Sequence, residues 1–80
     1  MSKKIHVGKL IQEKMRKDGR KVSWLARQIS CDRNHIYRIY QQEHLHPALL
    51  AHICILLEID LFALYSEFVH EEIKQKDSKT

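Results

Sequence analysis

The amino-acid sequence predicts an all-α fold, a compact domain of five short helices. Apolar residues recur every three or four positions along several segments, which is the period of an amphipathic helix. The 80 residues include only two glycines and one proline, too few for the many tight turns of a β-rich fold. With 44% hydrophobic and 30% charged residues, the composition is typical of a folded domain. We predict a single domain over residues 1–75, followed by a polar tail over residues 76–80.

The first helix is predicted at about residues 6–18. Its apolar residues follow the spacing of one helical face: Val7, Leu10, Ile11 and Met15. Gly19 is predicted to end the helix, because glycine readily adopts the left-handed conformation found just past a last turn. The basic residues away from the apolar face are interpreted as solvated charges: Lys9, Arg16 and Lys17.

The second and third helices are predicted at residues 23–30 and 33–41, with Ser23 and Asp32 capping their first turns. A small residue, Ala26, stands where the two helices cross. Apolar residues tie both helices to the domain: Leu25, Ile29, Cys31, Ile36 and Ile39. Two short helices joined by a tight turn in a basic region predict a helix-turn-helix, which places its second helix in the DNA major groove.

The fourth helix is predicted at residues 47–57, beginning at Pro47, and the fifth at residues 61–74. The fifth helix carries two apolar rows. One row is expected to cover the core, and the other is predicted to form the interface of a homodimer. The predicted dimer residues are Leu61, Phe62, Tyr65, Val69 and Ile73. The alternative is a wide stripe in which both rows face the core of one chain.

Charge is distributed unevenly along the chain. Residues 1–40 contain 11 basic and 3 acidic residues, a net charge of +8, and residues 41–80 contain 3 and 7, a net charge of −4. A strongly basic half favours a polyanionic partner, although a merely solubilising surface has the same charge. Together with the helix-turn-helix pattern, the charge predicts double-stranded DNA as the partner.

Residues 23–40, SWLARQISCDRNHIYRIY, resemble the helix-turn-helix of the XRE family, the lambda-repressor-like transcriptional regulators of bacteria. The resemblance extends over about residues 7–61 and implies a compact domain of four or five helices whose third helix enters the major groove. Three features differ from the family. Ser30 stands where glycine is frequent, Tyr40 stands where an acidic residue is frequent, and the loop at residues 41–46 lacks a glycine.

The third helix carries the candidate base-contacting residues: Arg33, Asn34, His35, Tyr37 and Arg38. Arginine fits the two acceptors of guanine, and asparagine pairs with adenine through two hydrogen bonds. His35 and Tyr37 are candidates for contact with bases, thymine methyl groups or phosphates. The candidate phosphate-contacting residues are Arg20, Lys21, Ser23, Arg27, Gln28, Gln41, Gln42 and His44. Trp24 is interpreted as a packing residue, not as a platform for stacked bases.

The sequence contains no pattern typical of metal binding, cofactor binding or catalysis. There is no zinc-type spacing of cysteine and histidine, no glycine-rich phosphate loop and no nucleophile–base set, so we expect no metal, no cofactor and no enzymatic activity. Cys31 and Cys54 are interpreted as thiols of the core. No apolar run approaches the roughly 20 residues that cross a bilayer, and no signal peptide is recognisable, so we expect a cytoplasmic protein without a membrane span.

Two functions from different classes fit this sequence. The first is a sequence-specific transcriptional regulator that binds double-stranded DNA as a homodimer. The alternative is an antitoxin, or another protein-interaction module with the same fold, whose acidic second half engages a protein partner. The acidic residues in question are Glu58, Asp60, Glu67, Glu71 and Glu72.

Overall fold

A computed structural model describes residues 5–78 of the chain. These residues form five α-helices and no β-strand: α1 (Val7–Lys17), α2 (Val22–Gln28), α3 (Arg33–Gln41), α4 (Pro47–Leu57) and α5 (Phe62–Ser78). The predicted all-α fold with five helices is confirmed, and the bounds predicted for α3 and α4 are those observed. The predicted end of α5 was wrong, since the helix runs to Ser78 and includes part of the expected polar tail. Residues 79–80 of that tail lie outside the described residues, as do residues 1–4 of the predicted domain.

The starts of the helices are held by side-chain caps of two kinds. Asp32 caps α3 as predicted, and its carboxylate accepts a hydrogen bond from the backbone N–H of His35 at 2.9 Å. In α1 and α4 the cap is a histidine, because Nδ1 of His6 and of His46 each accepts a backbone N–H at 3.1 Å. The prediction of Ser23 as the cap of α2 was wrong. The helix begins one residue earlier, at Val22, so the Ser23 hydroxyl already lies inside the first turn.

Three helices end in the same way, with a left-handed residue just past the last turn. These residues are Gly19, Ser30 and Glu58, with φ values of 67°, 55° and 55°. In each case the next N–H reaches back to a carbonyl near the helix end: Arg20 to Met15 at 2.9 Å, Cys31 to Ala26 at 2.9 Å, and Ile59 to Cys54 at 3.0 Å. This hydrogen bond satisfies a carbonyl that the helix leaves without a partner. A residue with a Cβ pays about 1–2 kcal/mol for the left-handed conformation, which glycine avoids.

The core is built around α3, which packs against both α1 and α2. The described hydrophobic residues with almost no exposed surface come from all parts of the chain: Val7, Ile11, Met15, Leu25, Ala26, Ile36, Ile39, Tyr40, Leu50, Ile53, Cys54, Leu57 and Leu61. No polar or charged residue is buried among residues 5–76. The core is therefore a purely hydrophobic cluster, and the functional polar groups are left for the surface.

The start of α1 is docked directly onto the chain at the end of α3. The Val7 N–H donates to the Glu43 carbonyl at 2.8 Å, and the Gly8 N–H donates to the Gln42 carbonyl at 2.9 Å. At Gly8 the two backbones approach so closely that a Cβ would overlap the carbonyl groups of Ile39 and Tyr40. Glycine is therefore required here for space and not for backbone conformation. No local pattern in the sequence indicates this role.

The long helix α5 contacts the core only through its beginning. Leu61 is only 6% exposed, and Leu64 and Tyr65 pack against the core from the first turns of the helix. Farther along, Val69 and Ile73 are 50% and 53% exposed. The described chain is accordingly elongated, with extents of 50 × 23 × 20 Å. The assignment of Leu61 to a dimer surface was wrong, because this side chain is part of the hydrophobic core.

In the described part of the chain, no individual helix combines the length and apolar character needed to cross a membrane. Helices α4 and α5 meet the length and composition criteria only when taken together, and they are bent by 120° relative to each other.

Replacing Gly8 with alanine is expected to lower the free energy of unfolding by about 2–3 kcal/mol, because the new methyl group must displace backbone atoms of α3. Urea denaturation followed by circular dichroism measures this change. Gly19→Ala is the matched control, because a Cβ at Gly19 would have no atom within 4 Å other than those of its chain neighbours. Only the left-handed φ of 67° would strain this variant, by about 1 kcal/mol. Equal losses at the two positions would contradict the close contact at Gly8.

Replacing Ser30 with glycine is expected to raise the free energy of unfolding by about 1 kcal/mol, because the left-handed conformation no longer strains a Cβ. The same substitution at Ser66, an exposed position within α5, should have the opposite sign and cost about 0.5 kcal/mol through lower helix propensity. Urea midpoints of the two variants give both values. A lower free energy of unfolding in Ser30→Gly would show that contacts of the Ser30 side chain stabilise the fold by more than its left-handed backbone destabilises it.

Candidate nucleic-acid interface

The outer surface of α3 carries all five candidate base-contacting residues. Arg33, Asn34, His35, Tyr37 and Arg38 are each exposed, and Tyr37 has 51% of its surface accessible. The opposite face of the helix is buried and consists of Ile36, Ile39 and Tyr40. The helix therefore presents a surface of hydrogen-bonding side chains and is fixed to the domain by an apolar one.

The exposed residues of α3 divide into three rows. At about 100° per residue, Asn34, Arg38 and Gln41 lie opposite the buried face and form the central row. Arg33 and Tyr37 lie on one flank of this row, and His35 lies on the other. Gln41 was predicted to contact phosphate, yet it shares the row of Asn34 and Arg38. Its position makes it a further candidate for reading base edges.

An aromatic pair supports the flank of α3 that carries Arg33. The rings of Tyr37 and Tyr40 meet edge to face, with centroids 6.3 Å apart and an interplanar angle of 76°. Burial raises the pKa of the Tyr40 hydroxyl, and the neighbouring Tyr37 raises it further. Tyr40 therefore remains a neutral packing residue beneath Tyr37, which keeps its own polar end at the surface.

The turn between α1 and α2 places a cation on an aromatic ring. The guanidinium carbon of Arg20 lies 4.1 Å from the centroid of the Trp24 ring. Trp24 itself is half-buried against the core, which confirms its assignment as a packing residue. The cation–π contact restricts where the Arg20 side chain can point. This phosphate candidate is therefore held at the surface next to Lys21.

Two phosphate candidates in the loop after α3 also have structural roles. The Gln42 carbonyl accepts the Gly8 N–H, and its side chain remains exposed. Nδ1 of His44 forms a 2.6 Å hydrogen bond with the hydroxyl of Tyr65, and the two ring centroids are 5.7 Å apart. Burial raises the pKa of the Tyr65 hydroxyl, so it stays protonated. His44 and Tyr65 therefore bond to each other while His44 remains exposed, so the phosphate contact of His44 and the dimer role of Tyr65 stay predictions.

The remaining phosphate candidates lie on α2 and the turn before it. Arg27 and Gln28 are exposed in the last turn of α2, whereas Ser23 is half-buried near its start. Lys21 is exposed in the residue that precedes the helix. Arg20, Lys21 and Ser23 share one groove with Arg33 and Tyr37 of α3. The structure thus brings three of the phosphate candidates together with two of the base candidates.

The groove that collects these residues is bounded on its other side by α1. It is open to solvent, has a volume of about 760 Å³, and is lined on the α1 side by Lys9, Gln12, Glu13 and Arg16. Lys9 and Arg16 were interpreted as solvated charges, without a connection to the DNA-binding surface. The relevant signal in the sequence is the spacing of residues 9, 12 and 16, which places three polar side chains in one row of the helix.

Neither cysteine has the properties of a reactive site. Cys31 and Cys54 are free thiols, the first half-buried and the second buried. The pKa of Cys31 is raised by burial and, to a smaller extent, by the negative charge of Asp32. Its thiol therefore stays protonated and weakly nucleophilic at neutral pH. Among residues 5–78, no three side chains of the types His, Cys, Asp and Glu are grouped closely enough to hold a metal ion.

Comparisons of the chain with protein-family models, with curated proteins and with solved structures find no match. Functional assignment therefore depends on the residues of this surface and their arrangement.

Alkylation of Cys31 by iodoacetamide at pH 8 is expected to be slower than alkylation of an unperturbed thiol, because the raised pKa reduces the thiolate fraction. Asp32→Asn should accelerate the reaction, since it removes the nearby negative charge while asparagine still caps α3. Peptide mass spectrometry measures labelling at Cys31 separately from Cys54. Equal rates for the variant and the original chain would show that Asp32 has no influence on the thiol.

Proposed function

We propose that this protein binds double-stranded DNA in a sequence-specific manner and regulates transcription, with α3 lying in the major groove. The observation that carries the proposal is the division of α3 into two faces. Its buried face is entirely hydrophobic, and its exposed face consists of side chains that can form hydrogen bonds with base edges. A helix of this kind fits the major groove of B-DNA, which is about 12 Å wide.

The chemistry of the α3 side chains suits base recognition. Arg33 and Arg38 carry forked guanidinium groups that match the O6 and N7 acceptors of guanine. Asn34 matches the donor and acceptor of adenine. Gln41 offers the same amide group about two turns farther along the central row. His35 and Tyr37, on the two flanks, are placed for phosphates, thymine methyl groups or bases at the edges of the site.

Phosphate contacts would hold α3 in register without specifying sequence. Arg20 and Lys21 precede α2, Arg27 is exposed near its end, and Gln28 follows Arg27. These residues lie in the basic half of the chain, with its net charge of +8 over residues 1–40. The resemblance of residues 23–40 to the XRE family of bacterial regulators supports the same arrangement. A cytoplasmic location is part of this proposal.

A homodimer is the second part of the proposal. A single small domain contacts few base pairs, and two copies on a pseudo-palindromic site reach useful specificity. The exposed apolar residues of α5 supply a surface that a second copy would cover, and Phe62 (40% exposed), Val69 and Ile73 are its main members. Leu61 is excluded from this surface by its place in the core, whereas Tyr65 is half-buried beside the core and bonds to His44.

The alternative function is that of an antitoxin or another protein-interaction module. The observation that favours it is the same exposed row on α5, because the carboxylate of Glu72 lines a groove together with Val69 and Ile73. A basic or apolar surface of a protein partner would complement such a helix. In this case the basic half of the chain would bind DNA weakly, or only when the partner is present.

Selection from a random library of DNA duplexes at near-physiological salt tests the proposal, with the original chain and the double variant Arg33→Ala/Asn34→Ala compared directly. The original chain is expected to enrich a symmetric motif, which weakens or changes in the variant because two base-reading side chains are lost. Loss of Arg33 alone should cost about 1–3 kcal/mol at one base pair.

Arg20→Ala is the control within the same experiment. It should weaken binding to all duplexes equally and lower the slope of log affinity against log salt by about one, because it removes a phosphate contact only. If no motif is enriched and binding is weak and salt-sensitive throughout, the regulator proposal fails and the protein-interaction module is favoured.

A further inference from the structure

We infer that α1 is part of the DNA-binding surface, and that the groove between α1 and α3 takes a stretch of the phosphate backbone beside the recognition helix. The inference rests on the proposed function and extends it to a helix outside the helix-turn-helix. It assigns phosphate contacts to Lys9 and Arg16, with Gln12 as a neutral hydrogen-bond donor between them.

The row on α1 has the dimensions of a backbone-contacting surface. Lys9, Gln12 and Arg16 are spaced by three and four residues, so they lie on one side of the helix. Lys9 and Arg16 are two turns apart, about 10.5 Å along the helix axis. Successive phosphates of one DNA strand are separated by more than their axial rise of about 3.4 Å, so the row spans about two phosphates.

The charges that line the groove are strongly unbalanced. Its five cations come from α1, the following turn and α3, and they are Lys9, Arg16, Arg20, Lys21 and Arg33. Glu13 is the one carboxylate that lines the groove. The ion pair on α1 joins Lys14 to Asp18 at 3.2 Å and does not involve the groove. Uncompensated cations in a concave surface attract a polyanion and release its counterions on binding.

The shape of the groove favours a chain over a small anion. A second depression, lined by His6, Lys9, Gln12, Tyr37, Tyr40 and Gln41, shares its central residues with the first. The two form one trough between α1 and α3, from the turn at Arg20 to the end of α3. A free phosphate would need an enclosed site with converging donors. An open trough beside the row of base-reading residues matches a continuous phosphodiester strand.

The first test removes charge from α1. Lys9→Gln/Arg16→Gln is measured by fluorescence anisotropy at several salt concentrations, on the duplex enriched by the original chain or, if no motif is enriched, on a duplex of arbitrary sequence. We expect a loss of about threefold to fivefold in affinity for each residue and a fall of about two in the salt slope, because each substitution deletes one phosphate contact. The enriched motif should remain the same. Lys17→Gln/Lys74→Gln makes the same change in net charge outside the groove and should have little effect.

The second test is expected to raise the affinity for DNA instead of lowering it. Glu13→Gln removes the one carboxylate of the groove, and it should strengthen binding about threefold to all duplexes because a repulsive charge is lost. Glu71→Gln on α5 raises the net charge equally but lies outside the groove, so affinity should change little. Glutamate and glutamine have similar helix propensities, and both positions are exposed, so folding should be unaffected. Thermal unfolding verifies this.

The outcomes separate this inference from the function on which it rests. If the original chain enriches a motif but the α1 variants behave like their controls, the inference is wrong and the proposed function stands. If no motif is enriched but the α1 variants still lose affinity and salt slope, the groove binds polyanions and the sequence-specific function is wrong.

Discussion

The backbone contact between the start of α1 and the end of α3 determines where the candidate recognition helix lies. The first turn of a helix leaves N–H groups without hydrogen-bond partners, and the last turn leaves carbonyl groups without them. Here the first N–H groups of α1 and the carbonyls of Gln42 and Glu43 satisfy each other at 2.8 and 2.9 Å. The approach is possible because residue 8 is glycine. Together with the Asp32 cap at its other end, this contact holds α3 at both ends, with its polar face turned outward.

The loop after α3 also contacts three of the other helices. Its first two carbonyls bind α1, His44 bonds to Tyr65 of α5, and His46 caps α4. Of the loop residues that were predicted to contact phosphate, His44 bonds to Tyr65 and Gln42 keeps an exposed side chain. None of residues 42–46 has a positive φ, so this loop does not require a glycine. The candidate DNA-binding groups are concentrated on α3, on the turn before α2 and on α1.

Short sequence patterns correctly predicted the features that depend on interactions within a few residues, such as helix starts and helix faces. Asp32 and Pro47 mark the starts of α3 and α4 because a carboxylate cap and a proline at the first position act within one turn. The buried and exposed faces of α3 followed from helical period alone. Gly8 and the groove were beyond prediction, because both depend on how α1 packs against α3. The end of α5 was missed because its last residues are polar but contain no helix-stopping glycine or proline.

The separation of charge along the chain is also a separation in space. All residues that line the groove belong to the first 40 positions, and none comes from α4 or α5. Had the carboxylates of α5 lined the groove, they would have opposed the field that attracts a polyanion, but no α5 residue lies there. An approaching duplex would be oriented toward the basic side before any base is read. The exposed apolar row of α5 contributes nothing to the groove, so the proposed DNA binding and the proposed dimer would use different surfaces.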